Sequence, residues 1–256
     1  MDSTEPTVKR ARLDDDSLED GELIDSDGDV EKVENTEVFD DPEIKLEENS
    51  SVIISGSSKS GKTYWICNFL KNLDQMFKGQ TPVEVVYYYM HHQPLYDEMK
   101  KALGSKIKFK EGVPDIQDIS EIAKDKQHKL VVLDDVMHLA VNNDDIALLF
   151  TQLVHHKRLS CLVVLQNLYQ SGKHAKTIKL NSTYLVLFNN IRDKGQISYL
   201  GRQMYPGQCP SFIRAYKDAV SPLYSYLFID SSPIVSDAYR LRTDIFPGEE
   251  MQTYRF

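Results

Sequence analysis

Seven residues, grouped in three places along this 256-residue chain, have the types and spacing for phosphate chemistry: Gly56, Gly61, Lys62, Thr63, Asp134, Asp135 and Gln166. The first group lies in Gly56-Ser57-Ser58-Lys59-Ser60-Gly61-Lys62-Thr63, which spells G-x-x-x-x-G-K-T. A triphosphate concentrates negative charge on closely spaced oxygens, so its site needs many donors converging on a small volume. The two glycines let the backbone turn tightly and aim successive N–H groups inward. Lys62 can then reach the β- and γ-phosphates, and the Thr63 hydroxyl is placed to bind Mg²⁺. Lys62 is expected on the solvent side of the core. ATP with Mg²⁺ is the ligand this pattern implies.

The second group closes Leu130-Val-Val-Leu-Asp134-Asp135. A carboxylate leaving the C-terminal end of a buried strand arrives beside the phosphate loop, because ligands in such sheets bind at that edge. Asp134 is the expected Mg²⁺ carboxylate and Asp135 the group that polarises an attacking water. Gln166 and Asn167 end the next apolar strand at the same edge. An amide there can touch both the water and the γ-phosphate and so report whether that phosphate is present. Asn189 and Asn190 end a further strand and are weaker candidates for the same edge. His91-His92 and His155-His156 come without matching Cys/His clusters, so zinc is not expected.

The elements that must position these groups alternate along the chain. Val52-Ile53-Ile54 is a buried-strand run, and the stretch from Thr63 has helical apolar spacing at Trp65, Ile66, Phe69, Leu70 and Leu73. Strands follow at Val83–Tyr89, Lys106–Lys110, Lys129–Asp134, Cys161–Gln166, Tyr184–Phe188 and Tyr224–Ile229. Helices are expected over Pro94–Ala102, Asp115–Ala123, Asp145–His156 and from a capping-box-like start at Asp193–Gln196 to Met204. Continuous apolar strands alternating with helices mean an α/β domain with a mostly parallel sheet covered on both faces.

Charge divides the chain. Residues 1–50 hold 19 Asp/Glu and 5 Lys/Arg, leaving 20 acidic and 25 basic residues in 51–256. A segment that acidic cannot bury enough apolar surface to offset its ordering entropy, so residues 1–46 read as a disordered tail and 47–256 as the folded domain. Lys9-Arg10-Ala11-Arg12 in that tail reads as a nuclear-import cluster. Asp25–Asp29 has the acids of a calcium loop, but Val30 stands where such a loop needs glycine. No apolar run has the length of a membrane span. Cys67, Cys161 and Cys209 are scattered and lack C-x-x-C spacing, which fits a reducing intracellular compartment.

Taken together, Gly56–Thr63, Leu130–Asp135, His155-His-Lys-Arg-Leu-Ser160, Val164-Leu-Gln-Asn-Leu168 and Leu187–Asp193 resemble segments of the genome-packaging ATPases of Polinton/Maverick elements and related viruses. Those proteins are similar to poxvirus packaging ATPases within the FtsK/HerA group. The resemblance runs over residues 50–246. It implies a RecA-like P-loop domain that assembles into a homo-oligomeric ring. Such a ring pumps double-stranded DNA into capsids with ATP, beside capsid or portal proteins and at a virion assembly site. In such proteins an arginine ahead of the glutamine-ending strand acts on a neighbour's nucleotide. Here that region reads Lys157-Arg158, which makes Arg158 the candidate, with Lys157, Arg192 and Arg202 as alternates. Asp135 stands where the broader group carries glutamate.

Three other readings share the phosphate loop. A superfamily-3-like replicative helicase would place its acidic strand much sooner than the 72 residues between Lys62 and Asp134. A nucleoside or nucleotide kinase would need an Arg-rich lid. An NTP-gated scaffold would bind without turnover.

Overall fold

The computed structural model describes residues 44–136, 141–154, 157–169, 171–192 and 194–256. The cluster Lys9–Arg12, the acidic run to Asp40, and His155, His156 and Asp193 lie outside them.

Nine strands form one sheet: β1 Ser51–Ser55, β2 Glu84–Tyr89, β3 Ile107–Glu111, β4 Lys129–Asp134, β5 Leu159–Leu165, β6 Tyr184–Phe188, β7 Tyr226–Asp230, β8 Leu241–Thr243 and β9 Gln252–Tyr254. Their spatial order is β3-β2-β4-β5-β1-β6-β7-β8-β9. The first six run parallel, and β7, β8 and β9 extend the sheet antiparallel. Strand β5 is therefore interposed between β1, which feeds the phosphate loop, and β4, which ends in the acids. This is the arrangement of a RecA-like P-loop NTPase.

Apolar side chains point alternately to the two faces because the strand period is 2. Val52 and Ile54 pack with Trp65, Ile66, Phe69 and Leu70 of α1 (Lys62–Lys71) and with Tyr96 and Met99 of α2 (Leu95–Leu103). Ile53, Val131 and Val163 face the other way. They meet α3 (Ile116–Ile122), α4 (Asp144–Leu148), α5 (Ala175–Leu180), α6 (Gly195–Met204) and α7 (Cys209–Ala219). Both faces are thus covered, and all polar chemistry is left to the strand ends.

Several boundaries differ from the sequence reading. Leu46, placed in the tail, is 1% exposed, bridges Phe77 and exchanges backbone hydrogen bonds with Met76 and Lys78. One apolar residue in an acidic stretch finds a slot beside α1, so the packed domain begins ahead of residue 47. The helix expected over 145–156 starts instead as α4, capped by Asn143, whose Oδ1 accepts from Asp145 N at 2.8 Å, and passes into a π-helical turn at Leu149–Leu153. Helix α6 begins at Gly195 without a side-chain cap, and the Gln196 amide accepts from Leu168 N at 2.7 Å instead of turning back on its own helix.

Candidate functional site

The phosphate loop is built by steric necessity. A methyl group on Gly56 would lie 2.6 Å from Phe188 Cβ and 2.8 Å from Ser60 Oγ, so only glycine fits against the end of β6. Gly61 has φ 107°, a left-handed conformation that a side chain would strain, and it opens α1 with no side-chain cap. The first intrahelical bond is Trp65 N to Gly61 O at 2.9 Å. The amides of Lys62, Thr63 and Tyr64 therefore remain for a ligand at the positive end of the helix. Ser57 Oγ donates to Asn189 O at 3.1 Å and ties the loop to β6. Ser58 and Lys59 are exposed on the cavity wall, and Ser60 Oγ is buried without a partner among the described residues.

Lys62 is not on the solvent side. It is 9% exposed, and its ammonium donates to Gly56 O at 2.8 Å and Ser57 O at 2.7 Å. Burial pulls its pKa down, opposed by the carboxylates of Asp134 and Asp135. The helix's first turn points Lys62 back along β1, between the loop carbonyls and the end of β4.

Asp134 is 2% exposed, and its Oδ2 accepts from two phenols, Tyr87 at 2.6 Å and Tyr96 at 3.0 Å. Burial pushes its pKa up, with the phenols and Lys62 acting the other way and Asp135 adding to the rise. Two donors on one oxygen fix the plane of the carboxylate and leave Oδ1 for the cavity side, where Thr63 also stands. These tyrosines are absent from the sequence reading. The signal available was Tyr87 inside a buried strand, since a buried phenol must find a partner.

Asp135 is exposed and holds φ 58°, an uncommon conformation for a residue other than glycine. Gln166 Nε2 donates to its Oδ1 at 3.1 Å. The interposed strand β5 thus brings the two groups expected to handle the attacking water into direct contact. Asn190 Nδ2 reaches Gln166 O at 3.5 Å, so the ends of β5 and β6 are coupled as well.

These residues share one cavity of about 1040 Å³. Lys62, Thr63, Asp134, Asp135 and Gln166 line one side, and Tyr224 and Phe246 close another. Tyr224 (φ 66°) is 57% exposed, and its Cβ would lie 3.1 Å from a methyl on Gly61. It is an aromatic ring at the cavity mouth that no motif announced. The oxygen donors fit Mg²⁺: one hydroxyl and one buried carboxylate suit a hard cation that keeps water and phosphate ligands. Among the described residues no cluster of three His, Cys, Asp or Glu forms an all-protein cage.

Arg158 is not brought to the cavity. It precedes β5 at the opposite end of the sheet from Gln166, with φ 51°, and reaches Gln80 Oε1 at 3.2 Å and Glu48 at 3.9 Å. In its own chain it cannot touch the nucleotide side.

No family model and no curated protein matches the sequence. Among solved structures, the flagellar accessory protein FlaH from Methanocaldococcus jannaschii is similar over 54% of this chain and 70% of its own, with 17% identity and a TM-score of 0.39. That distance carries no assignment.

Proposed function

We propose that the chain is an ATPase that drives double-stranded DNA into the capsid of a viral or virus-like element. The observation that carries the ATPase half is the meeting of Lys62, Thr63, Asp134, Asp135 and Gln166 on one cavity at the C-terminal edge of the sheet. The DNA half is supported by the resemblance to packaging ATPases over residues 50–246.

The chemistry follows from the positions. Backbone amides at the start of α1 and the Lys62 ammonium hold the β- and γ-phosphate oxygens. Thr63 and the free oxygen of Asp134 would hold Mg²⁺, which neutralises charge between those phosphates when bound. Asp135 orients the attacking water and draws off its proton. Gln166, bonded to Asp135, touches the γ-phosphate from the neighbouring strand. Tyr224 offers its ring to the base at the cavity mouth.

Negative charge spreads over the equatorial oxygens as the phosphoryl group leaves, and an arginine fork matches that geometry. No arginine lines the cavity among the described residues. A neighbouring copy supplies it in this proposal, and Arg158, facing away from its own site, could serve only across such a boundary. The same lack of arginine disfavours a small-molecule kinase with an Arg-rich lid.

Steady-state ATP hydrolysis with and without duplex DNA tests the proposal. Stimulation by duplex is expected. Phosphate transfer to a nucleoside would favour a kinase, and strand separation without duplex translocation a helicase.

A further inference from the structure

The net positive charge of residues 51–256 comes from one stretch. Between Gln166 and Lys217 there are eight Lys/Arg and a single acid, Asp193, whereas the rest of 51–256 holds 19 acidic and 17 basic residues. That stretch supplies the loops that leave β5 and β6, the two neighbours of β1, together with α5, α6 and α7.

Side-chain contacts gather part of this charge on one surface. Lys179 of α5 stands 3.9 Å from the Tyr169 ring centre and 5.9 Å from that of Tyr199 on α6. Tyr199 meets Tyr169 edge-on at 4.8 Å, and Tyr169 Oη reaches Gln203 of α6 at 3.5 Å. Burial, and after it the neighbouring ammonium of Lys176, lower the Lys179 pKa, and Lys176 is exposed on α5. Lys194 and Arg202 are exposed at the start and last turn of α6, about 12 Å apart along the helix. Among the described residues Lys176, Lys194 and Arg202 make no ion pair with an acid. Lys173 differs, being paired with Asp144.

We infer that this α5–α6 surface is where the chain grips the phosphate backbone of duplex DNA. The inference rests on the DNA reading above and gives it a location. Unpaired exposed cations spaced over about 12 Å match a lattice of phosphates, and their neutralisation releases counterions. Tyr169 is already engaged: Lys179 stands over its ring, and Tyr199 meets it at a right angle. Tyr169, committed in this way, helps hold the helices together, while Tyr199 stays 46% exposed beside the cations; the preference for duplex comes from the DNA reading itself. The loop from Gln166 to Tyr169 joins this surface to the γ-phosphate side of the cavity. Leu168 N is fixed on Gln196 of α6, so a shift at Gln166 bears on the same helix.

The test is fluorescence anisotropy of the full chain with a labelled 30-base-pair duplex and its single strand, across a salt series, with circular dichroism melts of every variant. Lys176→Gln/Lys194→Gln should weaken duplex binding by roughly tenfold or more and reduce the salt slope by about 2, at roughly 0.9 per lost phosphate contact. Lys106→Gln/Lys108→Gln/Lys110→Gln, on the paired β3 edge, should leave both unchanged. Wild-type binding by the α5–α6 variant at an unaltered melt overturns this surface while leaving the DNA reading standing. Tighter binding to single strand than to duplex overturns the duplex assignment. A wild-type chain that hydrolyses ATP yet binds no duplex removes the DNA reading itself, and this surface with it.

Discussion

Strands β4 and β5 each carry polar groups at both ends, and the two ends treat charge differently. At the N-terminal end Lys129, with 7% of its side chain exposed, faces Asp125 at 2.9 Å and Glu84 at 3.7 Å. Beside it His128 bonds Gln80 O and Ser160 Oγ, and Arg158 pairs with Glu48. Lys129 and Arg158 there each meet an opposite charge within the chain. At the C-terminal end Asp134 is just as buried but is held by two phenols, which orient a carboxylate without neutralising it. Lys62 beside it gives two of its three donors to carbonyls, and Asp135 occupies a left-handed conformation. The difference teaches where to look for chemistry: burial alone marks both ends, and buried charge held without a direct ion pair among the described residues marks only one.

The sharpest test of that contrast is at Asp134 and Lys62. Lys62→Ala and Asp134→Ala should each lower ATP turnover by about a thousandfold, as loss of transition-state charge stabilisation does. Stability should move differently. Burial raises the Asp134 pKa, so the folded state carries a cost that grows as pH rises from the unfolded carboxylate range, about 3.9, through the raised folded value, and persists at neutral pH. Asp134→Asn keeps an acceptor for both phenols and removes the charge. It should therefore melt at or above wild type at pH 7, with the difference shrinking towards pH 4. A large loss of melting temperature at pH 7 would mean that Asp134 is compensated like Lys129, and the contrast would collapse.

Tyr87→Phe and Tyr96→Phe come next. Each should raise the Mg²⁺ concentration needed for half-maximal nucleotide binding by about tenfold, the scale expected when a partner orienting a metal ligand is lost. Titration of a fluorescent ATP analogue with Mg²⁺ checks this without turnover. Asp135→Asn should bind the analogue normally and hydrolyse ATP slowly, and equal loss of binding in Asp134→Ala and Asp135→Asn would erase the division of labour between the two acids.

The smallest effects belong to the closed end. Arg158 is about half exposed, and such pairs contribute 0–1 kcal/mol. Arg158→Ala should therefore leave the melt within about 3 °C by differential scanning fluorimetry. If a neighbour's Arg158 serves the cavity, turnover falls and partly returns on mixing with Lys62→Ala, since one chain keeps an intact P-loop and the other an intact arginine. Unchanged turnover at every dilution makes the N-terminal end purely structural. Deleting residues 1–43 should not shift the melt, whereas deletion through Glu48 should lower stability by about 2 kcal/mol, because it removes the fully buried Leu46.

How far the sequence reached depends on the range of each interaction. The phosphate loop is a contiguous pattern whose strand and helix are local, and its place between β1 and α1 is legible from it. Asp134, Asp135 and Gln166 were readable as strand ends because sheets of this kind place ligands at one edge. The phenols on Asp134 were not, since they lie 38 and 47 residues away in the chain, and the pairing of β2 with β4 and the packing of α2 bring them in. Helix α7 is not among the expected helices; Cys209-Pro210 opens it, and proline at a first turn loses no helical hydrogen bond. Strands β8 and β9, three residues each, are too short to show a period. Lys62 was misplaced because its motif states what it binds and not how deeply it lies.

ATP hydrolysis by the purified full chain, measured at steady state with and without duplex DNA and beside Lys62→Ala, bears most directly on the central claim. Turnover that needs Lys62 and rises several-fold with duplex is the expected result. Turnover that ignores duplex while a nucleoside acceptor becomes phosphorylated, or wild-type turnover in Lys62→Ala, would contradict it.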